Sequence, residues 1–424
     1  MERWSSRTAF ILASVGSAVG IGNIWRFSSL VGQNGGGAYL IPYLIAVFVF
    51  ALPLMILELA VGRRLRGDVV TAFGRARPKF RPLGWVVCAV VFSILSYYLV
   101  VTGWTLAYVE FSAAGRSVEF SDFTTSYDPI LYFIISAVMM GAIVSLGIKN
   151  GIERFTKLLV PLSFLLLLGL FAFSSTLPGF GDGIRFLFTP DFSVLADPLL
   201  WGAAFGQAFF SLSVGYGILL TYGDYLDEDV KLFSSSLIIT IADLTVAILA
   251  GMVIFPVVFT YGLEPSAGAE LAFTTLPRAF EVMPYGQVFA VAFFALLFFA
   301  AMTSAVSMLE VSAASASRAF NVSRRGVSLV LTAAVIGLGL PSALSYSAAD
   351  LRFQGIRILD IMDETVGGFG LVLTATLIAV TFTWLLDDEL LRREIGRGSR
   401  LILPMVKYAV PAVLALTLAT GAFF

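Results

Sequence analysis

Two glycine-rich segments interrupt long apolar stretches of the chain, and both contain small polar side chains. The first is residues 17–23 (SAVGIGN) and the second is residues 211–217 (SLSVGYG). In hydrocarbon every backbone N–H and C=O group must be paired, so a helix broken at membrane depth is tolerated only where its freed groups line a cavity or bind a solute. A pair of such breaks in corresponding halves of a chain indicates a transporter site.

The composition is that of an integral membrane protein. Of the 424 residues, 58% are hydrophobic and 13% are charged, whereas soluble domains carry roughly 25% charged residues. The only cysteine is Cys88 and there is no histidine, which excludes an internal disulfide framework and any zinc, haem or histidine-based catalytic site. The net charge of −1 does not favour nucleic acid as a partner. We therefore expect no enzymatic activity.

About eleven apolar stretches are long enough to cross a hydrocarbon core of roughly 30 Å as helices. They lie near residues 8–33, 38–62, 84–112, 130–148, 155–177, 199–222, 234–261, 285–317, 326–345, 359–386 and 402–423. The first contains Asn23 and Arg26 and has no small-residue cleavage site after it, so we expect a retained span rather than a signal peptide. The predicted fold class is an all-α, multi-pass membrane protein.

Lysine and arginine predict the orientation of these spans, because positively charged loops stay in the cytoplasm. The loops expected there contain Arg63, Arg64, Arg66, Arg75, Arg77, Lys79, Arg81, Lys149, Arg154, Lys157, Arg318, Arg324, Arg325, Arg392, Arg393, Arg397 and Arg400. The opposite loops hold few basic residues, namely Arg116, Arg185, Arg278, Arg352 and Arg357. This bias predicts a cell-membrane protein with a cytoplasmic N-terminus and, with an odd number of spans, an extracellular C-terminus.

No linker, low-complexity run or change in composition divides the chain, so we predict a single domain over residues 1–424. Residues 8–177 and 199–386 could be two inverted copies of five helices, since each opens with a glycine-interrupted helix. The two halves are otherwise dissimilar in sequence. An additional helix at 402–423 lies outside the repeat.

A series of motifs resembles the neurotransmitter:sodium symporter family over nearly the whole chain. The motifs are Trp4, residues 17–27 (SAVGIGNIWRF), 34–39 (NGGGAY), Pro53, Leu54, Glu58, Gly62, Arg63, 96–98 (SYY), 151–154 (GIER), 207–217, 275–277 (TLP), 303–304 (TS) and 360–363 (DIMD). So many motifs in the family's order indicate similarity to its prokaryotic amino-acid transporter branch. The resemblance implies a leucine-transporter-like fold of two five-helix repeats, with helices 1 and 6 broken.

The resemblance also implies two sodium sites. Sodium requires several hard oxygen ligands, which freed backbone carbonyls and Asn, Asp, Ser and Thr side chains supply without much excess charge. The first site would use the Ala18 carbonyl, Asn23, Ser211 and Asp243. The second site would use the carbonyls of Gly16, Val19 and Ala300 with the hydroxyls of Thr303 and Ser304.

Acidic and hydroxyl residues in these spans have competing interpretations. Asp243 stands where most relatives carry asparagine, and the nearby position that holds a compensating carboxylate or chloride in relatives is Ala247 here. The resemblance therefore implies that Asp243 serves both purposes and that uptake is independent of chloride. Hydroxyls in membrane helices usually bond to a carbonyl one turn back, so packing is the alternative for Thr303 and Ser304. We expect Glu58 to accept hydrogen bonds from amides freed by the second break.

An amino-acid substrate is implied by Gly20, which occupies the position where monoamine-carrying relatives have aspartate. The substrate carboxylate would lie against the amides of Ile21 and Gly22 and the Tyr98 hydroxyl, beside the first sodium ion. The remaining expected contacts are Ala18, Phe210 and Ser213 for the amino group, Ser211 shared with the ion, and Ile94, Val101, Phe210, Tyr216, Ser304 and Met308 around the side chain. This apolar pocket favours a neutral hydrophobic or aromatic side chain, because an unpaired buried charge costs several kcal/mol.

Gate residues are implied on both sides of the site. Arg26 and Asp363 match an outer pair that closes over the substrate, with Tyr98 and Phe210 beneath it. Family members close the inner side with an arginine upstream of the tryptophan and an aspartate at the end of the eighth helix. Here those positions are Met1 and Arg318. Trp4 and Tyr225 remain, so inner closure would rest on packing, on Arg3 or on Asp224.

Together these observations predict a sodium-coupled symporter, with two sodium ions, that imports a neutral amino acid across the lipid bilayer by alternating access. Two alternatives stay open. One is a sensor that keeps the fold and the amino-acid site but signals without flux. The other is a proton-coupled carrier in which Asp243 is the proton site.

Overall fold

The computed structural model describes residues 2–265 and 271–420. Ten α-helices form the part of the chain that precedes residue 190. They are α1 Arg7–Ala18, α2 Phe27–Gln33, α3 Leu40–Ile45, α4 Leu52–Leu65, α5 Val69–Ala76, α6 Arg81–Ala113, α7 Phe120–Thr124, α8 Asp128–Ser145, α9 Glu153–Ser174 and α10 Phe180–Phe188.

Eleven more α-helices and one hairpin follow within the described residues. The helices are α11 Pro198–Ser211, α12 Ile218–Asp224, α13 Leu232–Thr260, α14 Leu276–Val282, α15 Gly286–Phe320, α16 Arg324–Ser345, α17 Ile358–Met362, α18 Leu371–Leu385, α19 Asp388–Ile395, α20 Ser399–Pro404 and α21 Val410–Thr420. The antiparallel strands β1 (Arg352–Phe353) and β2 (Ile356–Arg357) pair Arg352 with Arg357 and Phe353 with Ile356.

Short π-helical and 3-10 segments join several of these helices into longer rods. The π-helical segments are Gly22–Arg26, Ala46–Ala51, Ile148–Ile152, Leu271–Thr275, Asp363–Gly370 and Met405–Ala409, and the 3-10 segments are Gly36–Tyr39, Pro78–Phe80 and Phe192–Ala196. π-Helical turns inside membrane helices are frequent at functional sites.

Nine rods in the described part of the chain are long and apolar enough to cross a membrane, and the bent pair Arg7–Ala18 and Gly22–Gln33 makes a tenth. The sixth predicted span, residues 199–222, is present as α11 and α12, which are separated by residues 212–217 and are each shorter than a span. The all-α, multi-pass fold class is therefore confirmed. Residues 421–423 of the last predicted span lie outside the described residues.

Helix packing places the two breaks in the middle of the molecule. The 33-residue α6 and the 35-residue α15 pack along each other, and α4 packs on α12. Helix α1 contacts α9, α13 and α15. The glycine-rich segments thus lie among helices on all sides, as backbone without regular hydrogen bonding at membrane depth requires.

The loops divide between two faces. We call the face that carries Trp4, the α4–α5 loop and the end of α15 the N-terminal face, because ion pairs join these elements there. The opposite face carries α7, α14 and the hairpin, and we call it the far face. On the far face Arg278 of α14 pairs with Glu119 beside α7 at 3.3 Å.

Candidate functional site

Both breaks leave regular helical geometry at the glycine-rich segments. Helix α1 ends at Ala18, Val19 is extended, and the chain continues at an angle of 55°. In the second break Ser213, Gly215 and Gly217 have positive φ angles of 52°, 87° and 69°. Left-handed backbone is cheap for glycine but rare for serine. The Ser213 hydroxyl donates to the Ser17 carbonyl at 2.9 Å, which joins the two breaks directly.

Two buried polar side chains bind backbone groups of the breaks. Oε1 of Glu58 accepts a hydrogen bond from the Gly215 N–H at 2.7 Å, as the sequence predicted. Nε2 of Gln207 donates to the Gly22 carbonyl at 2.9 Å, a contact that sequence reasoning missed. Both side chains are fully buried. The sequence feature that could have predicted this contact is a glutamine inside an apolar helix, about one turn before a break.

The first candidate ion site is a compact network in which three of its four predicted members are hydrogen-bonded together. Nδ2 of Asn23 donates to Oδ1 of Asp243 at 2.6 Å and to the Ser211 hydroxyl at 2.8 Å. That hydroxyl lies 2.8 Å from Oδ2 of Asp243. The fourth member is the carbonyl of Ala18, the last residue of α1. Asp243 is fully buried, and an ionised carboxylate in such a place requires compensation.

The same asparagine joins the first candidate ion site to the unwound backbone. Oδ1 of Asn23 accepts a hydrogen bond from the Gly20 N–H at 2.9 Å. One side chain therefore contacts the break, Ser211 beside the second break, and the carboxylate of α13. Asp243 and the Gly20 N–H are thus hydrogen-bonded to the same amide group, that of Asn23.

The second candidate ion site lies between the end of α1 and α15. The Ser304 hydroxyl is 3.4 Å from the Gly16 carbonyl and 3.5 Å from the Val19 carbonyl. The Thr303 hydroxyl is 3.0 Å from the Ala300 carbonyl. The shortest contact of the Ser304 hydroxyl is with the Ser17 carbonyl at 3.0 Å, and the Thr303–Ala300 contact lies within α15. A Cβ atom at Gly16 would lie 3.2 Å from the Cβ of Thr303, so α1 and α15 approach closely here. The Thr303 hydroxyl also lies 3.1 Å from the Phe299 carbonyl, so both of its contacts are within its own helix, as expected for a packing role.

The predicted substrate groups surround Gly20. A Cβ atom at Gly20 would lie 2.9 Å from the Ser304 hydroxyl oxygen and 3.1 Å from the Tyr98 hydroxyl oxygen. The Ile21 N–H donates to that Tyr98 oxygen at 3.4 Å. At Gly22 a Cβ would lie 2.7 Å from the ring of Phe210. A larger residue at either position would therefore displace a neighbouring side chain of the predicted substrate site.

A cavity of about 640 Å³ extends from the far face to these residues. Its deep end is lined by Ile21, Gly22, Tyr98, Val101 and Phe210. The remaining four members of the predicted side-chain pocket are buried, with exposed fractions of 4% or less. Among the described residues, these four are not part of the cavity lining. They are Ile94, Tyr216, Ser304 and Met308. In this conformation the predicted pocket is only partly open to the cavity.

The predicted outer pair also lines the cavity but is not closed. The Arg26 guanidinium lies 5.0 Å from the ring centre of Phe210, within the range of a cation–π contact. Within the described residues Arg26 and Asp363 form no ion pair. The site is therefore open towards the far face.

The mouth of the cavity carries a charged turn. Arg357 of β2 lies over the Tyr346 ring at 4.3 Å, and Asp350 binds Arg352 at 2.9 Å and Arg357 at 3.2 Å. The hydrogen bond from Arg352, together with that from Arg357, holds the pKa of Asp350 below its usual value. Asp350 is therefore ionised at neutral pH and stabilises the turn beside the mouth.

On the N-terminal face the predicted tryptophan and tyrosine meet, so this side is closed. The Trp4 ring packs against Tyr222 at 5.0 Å and Tyr225 at 6.2 Å, and Trp4 Nε1 donates to the Tyr222 carbonyl at 3.1 Å. Arg3 pairs with Asp227 at 2.6 Å, but both side chains are about half exposed. Met1 lies outside the described residues.

Sequence reasoning missed two polar networks beside this closure. The hydroxyl of Tyr225 donates to Glu310 of α15 at 2.7 Å, and Glu310 also pairs with Arg324. Arg318, the residue that departs from the family pattern, pairs with Asp68 and with Asp224, and of these only Asp224 was among the residues expected at the inner closure. An isolated acid within an apolar helix was a signal for Glu310, whereas nothing in the sequence links Asp68 to Arg318.

Comparisons with known proteins agree with this architecture. A model of the sodium:neurotransmitter symporter family matches residues 1–127 and 124–418. An uncharacterized sodium-dependent transporter of Haemophilus influenzae is 33% identical, over 100% of this chain and 98% of the relative. The uncharacterized sodium-dependent transporter YhdH of Bacillus subtilis is 33% identical, over 94% of this chain and 91% of the relative.

Among solved structures, the crystal structure of MhsT in complex with L-phenylalanine superposes with a TM-score of 0.91, at 36% identity and with all of both chains covered. The predicted fold and the predicted family are thereby confirmed. A family of transporters also supports the expectation of no enzymatic activity. The chain belongs to the sodium:neurotransmitter symporter family and is a multi-pass membrane transporter.

Proposed function

We propose that this protein is a sodium-coupled symporter that imports a neutral hydrophobic or aromatic L-amino acid by alternating access. The observation that carries the proposal is the network of Asn23, Ser211 and Asp243, which joins both breaks around one buried carboxylate. A buried carboxylate without a cationic partner favours binding of a cation. Sodium then completes a site that already contains negative charge, so uptake is independent of chloride.

An amino-acid substrate is supported by the space around Gly20. The Ile21 N–H, which donates to the Tyr98 hydroxyl at 3.4 Å, and that hydroxyl itself are suited to bind a carboxylate. An aspartate at Gly20 would collide with Ser304 and Tyr98. The substrate therefore brings its own carboxylate, which also completes the first sodium site. The complex of a similar transporter with L-phenylalanine supports an aromatic or hydrophobic side chain.

Two sodium ions per substrate are proposed because the two candidate sites occupy separate places. Each charge moved inward gains about 2.3 kcal/mol per 100 mV, and a tenfold sodium gradient adds roughly 1.4 kcal/mol per ion. Two ions accompanying a zwitterion thus supply about 7 kcal/mol, enough for roughly a 10⁵-fold accumulation. One ion would support only the square root of that ratio.

Orientation in the membrane follows from the basic loops on the N-terminal face. We propose that this face is cytoplasmic, that the far face and the C-terminus are extracellular, and that the chain forms one domain of two inverted repeats with an additional last helix. The open cavity then faces the outside. In this proposal Arg26 and Asp363 close over the bound substrate, while Trp4 and Tyr225 close the inner side.

Uptake by purified protein in proteoliposomes tests the proposal. A sodium gradient should drive accumulation of labelled L-phenylalanine, L-tryptophan or L-leucine, and replacing chloride by gluconate should leave the rate unchanged. Phenethylamine and tryptamine should fail to compete, because they lack the carboxylate that would bind the Tyr98 hydroxyl and the amides at Ile21 and Gly22, a loss of about 1 to 3 kcal/mol for each buried group. Equal competition by amino acids and their amines would refute the shared carboxylate ligand.

Two further results would replace the proposal with an alternative. Sodium-dependent binding without accumulation would indicate a sensor. Accumulation driven by a pH gradient in sodium-free buffer, and lost in Asp243→Asn, would indicate a proton-coupled carrier.

A further inference from the structure

We propose that Arg318, Asp68 and Asp224 form the separable ion lock of the inner gate. We call these three residues the Arg318 cluster. The inference rests on the proposed alternating-access function. It selects Asp224 among the candidates that the sequence left open for inner closure, and it adds Arg318 and Asp68 as its partners. Arg318 and its partners act by positioning helices and do not touch the substrate.

The Arg318 cluster joins three elements at the N-terminal face. Arg318 lies in the last turn of α15, Asp224 is the last residue of α12, and Asp68 is the N-cap of α5. One guanidinium nitrogen is 2.8 Å from Oδ2 of Asp224 and the other is 3.2 Å from Oδ2 of Asp68. The side chains of Asp224 and Asp68 are 4% and 1% exposed, whereas that of Arg318 is 36% exposed.

The two carboxylates depend on Arg318 to different degrees. Asp68 also accepts hydrogen bonds from the Thr71 N–H at 3.0 Å and from the Thr71 hydroxyl at 2.6 Å. The Asp224 carboxylate, in contrast, accepts its side-chain hydrogen bond within the described residues from Arg318. A buried carboxylate that loses its cation is strongly destabilised unless water reaches it. Asp68 can therefore keep Arg318 in place while Asp224 departs into water.

Three polar side-chain contacts join α15 to α12 and to Tyr225, which follows α12 directly. Besides Asp224 with Arg318, the Tyr222 hydroxyl donates to Ser307 at 2.7 Å and the Tyr225 hydroxyl donates to Glu310 at 2.7 Å. Polar contacts can be exchanged for hydrogen bonds to water at small net cost, whereas separating packed apolar surfaces costs free energy in proportion to their area. This interface is thus suited to open and close.

The other partners of α12 would move with it. Helix α12 packs extensively on α4, and the Trp4 ring and Nε1 bind Tyr222 and Tyr225. Helix α5, which holds Asp68, packs instead on α6, and α6 packs along α15. The Arg318–Asp224 contact therefore connects two bodies, one containing α4 and α12 and the other containing α5, α6 and α15. Residues 2–5 contact both sides, since Trp4 packs on Tyr222 and Tyr225, whereas Glu2 pairs with Arg324 at 2.9 Å and the Ser5 N–H donates to Glu153 at 3.0 Å.

Arg3 and Asp227 form a second ion pair between the N-terminal segment and the loop after α12. This pair does not involve α5, α6 or α15, and both side chains are about half exposed. Exposed pairs contribute little to stability, since water screens them. Arg3 therefore does not hold the two bodies together, whereas the Arg318 cluster joins them directly, beside the Tyr225–Glu310–Arg324 network.

Hydrogen–deuterium exchange of the full-length protein in lipid nanodiscs tests the cluster without requiring uptake. In sodium, Arg318→Ala should increase exchange by about tenfold in residues 4–10 and 218–226, because opening of the inner side becomes less costly. Residues 27–33 on the far side of the first break should exchange no faster. Arg393→Gln, which removes a fully exposed ion pair within α19, serves as the matched control and should change neither segment.

Charge exchange separates a gate from a structural contact. Asp224→Arg and Arg318→Glu should each open the inner side, and the double variant should restore protection to within about twofold of the wild-type rate. The sodium concentration for half-maximal uptake should rise in the single variants and return in the double variant, because sodium must then compete against the inward-facing state.

Three results would overturn the proposal. They are unchanged exchange in Arg318→Ala, a double variant no better than the single variants, and faster exchange spread over α6 and α15 as well. If wild-type protein shows no sodium-dependent uptake while the exchange pattern follows the variants as expected, the proposed function is wrong and the ion lock stands.

Discussion

The two candidate ion sites obtain negative charge by different means. The first contains a full carboxylate, Asp243, already hydrogen-bonded to Asn23 and Ser211. The second contains no charged side chain. Its carbonyls, at Gly16 and Val19, lie at the C-terminal end of α1, where the helix dipole is equivalent to roughly half a negative charge.

This difference predicts different sensitivities to mutation. At the first site sodium must compete with the Asn23 amide for the carboxylate, and loss of the charge removes the main attraction. At the second site several weak dipoles together attract the sodium ion, so loss of one or two hydroxyls removes only part of the binding free energy. The comparison thus separates a charge-dominated site from a dipole-dominated one.

Asp243→Ala is expected to have the largest effect. It removes the carboxylate and leaves the amide of Asn23 and the hydroxyl of Ser211 without their partner in a fully buried place. Coulomb attraction of about 4 kcal/mol at close range corresponds to roughly a thousandfold in affinity. Saturable sodium-dependent uptake should therefore disappear. Purification yield and thermal stability serve as the control, and near-normal uptake would contradict the role of Asp243.

Asp243→Asn should be milder and should reveal the charge alone. The amide keeps the shape and an acceptor oxygen, so the network with Asn23 is retained. We expect the sodium concentration for half-maximal uptake to rise about tenfold to hundredfold, as for loss of a charged partner worth about 1.5 to 3 kcal/mol. Chloride should now stimulate uptake. Kinetics identical to wild type with and without chloride would remove the charge argument.

Thr303→Ala combined with Ser304→Ala should have a smaller effect, confined to the second site. Two neutral ligands worth about 1 kcal/mol each are lost, which predicts an increase of roughly thirtyfold or less in the sodium concentration for half-maximal uptake. Chloride should have no effect on this variant. If sodium dependence is unchanged while the melting temperature falls, the two hydroxyls serve packing and not the ion.

Glu58→Gln should leave sodium dependence unchanged. Glu58 is as buried as Asp243, but its Oε1 binds the Gly215 N–H, and a glutamine oxygen can accept the same bond. We expect the sodium response of uptake to stay within about twofold of wild type, with at most about 1 kcal/mol lost in stability. A large change in sodium affinity would show that charge anywhere in the bundle suffices, and would weaken the contrast between the two ion sites.

The amino-acid sequence by itself determined the class, the spans and the breaks. Apolar stretches long enough to cross the bilayer, interrupted at residues 17–23 and 211–217, leave few folds in which the backbone is satisfied. The same reasoning located Glu58 as the acceptor for the second break. It also placed the second break within the span at residues 199–222, which forms two short helices on either side of residues 212–217.

Only the tertiary structure decided which polar groups meet. Gln207 with Gly22, Tyr225 with Glu310, and Arg318 with Asp68 are separated by 85 residues or more along the chain. Neither periodicity nor spacing encodes such pairs, since they arise where helices from different parts of the chain cross. A buried charge must find a partner wherever packing brings one, so the inner ion lock is visible only after the helices are assembled.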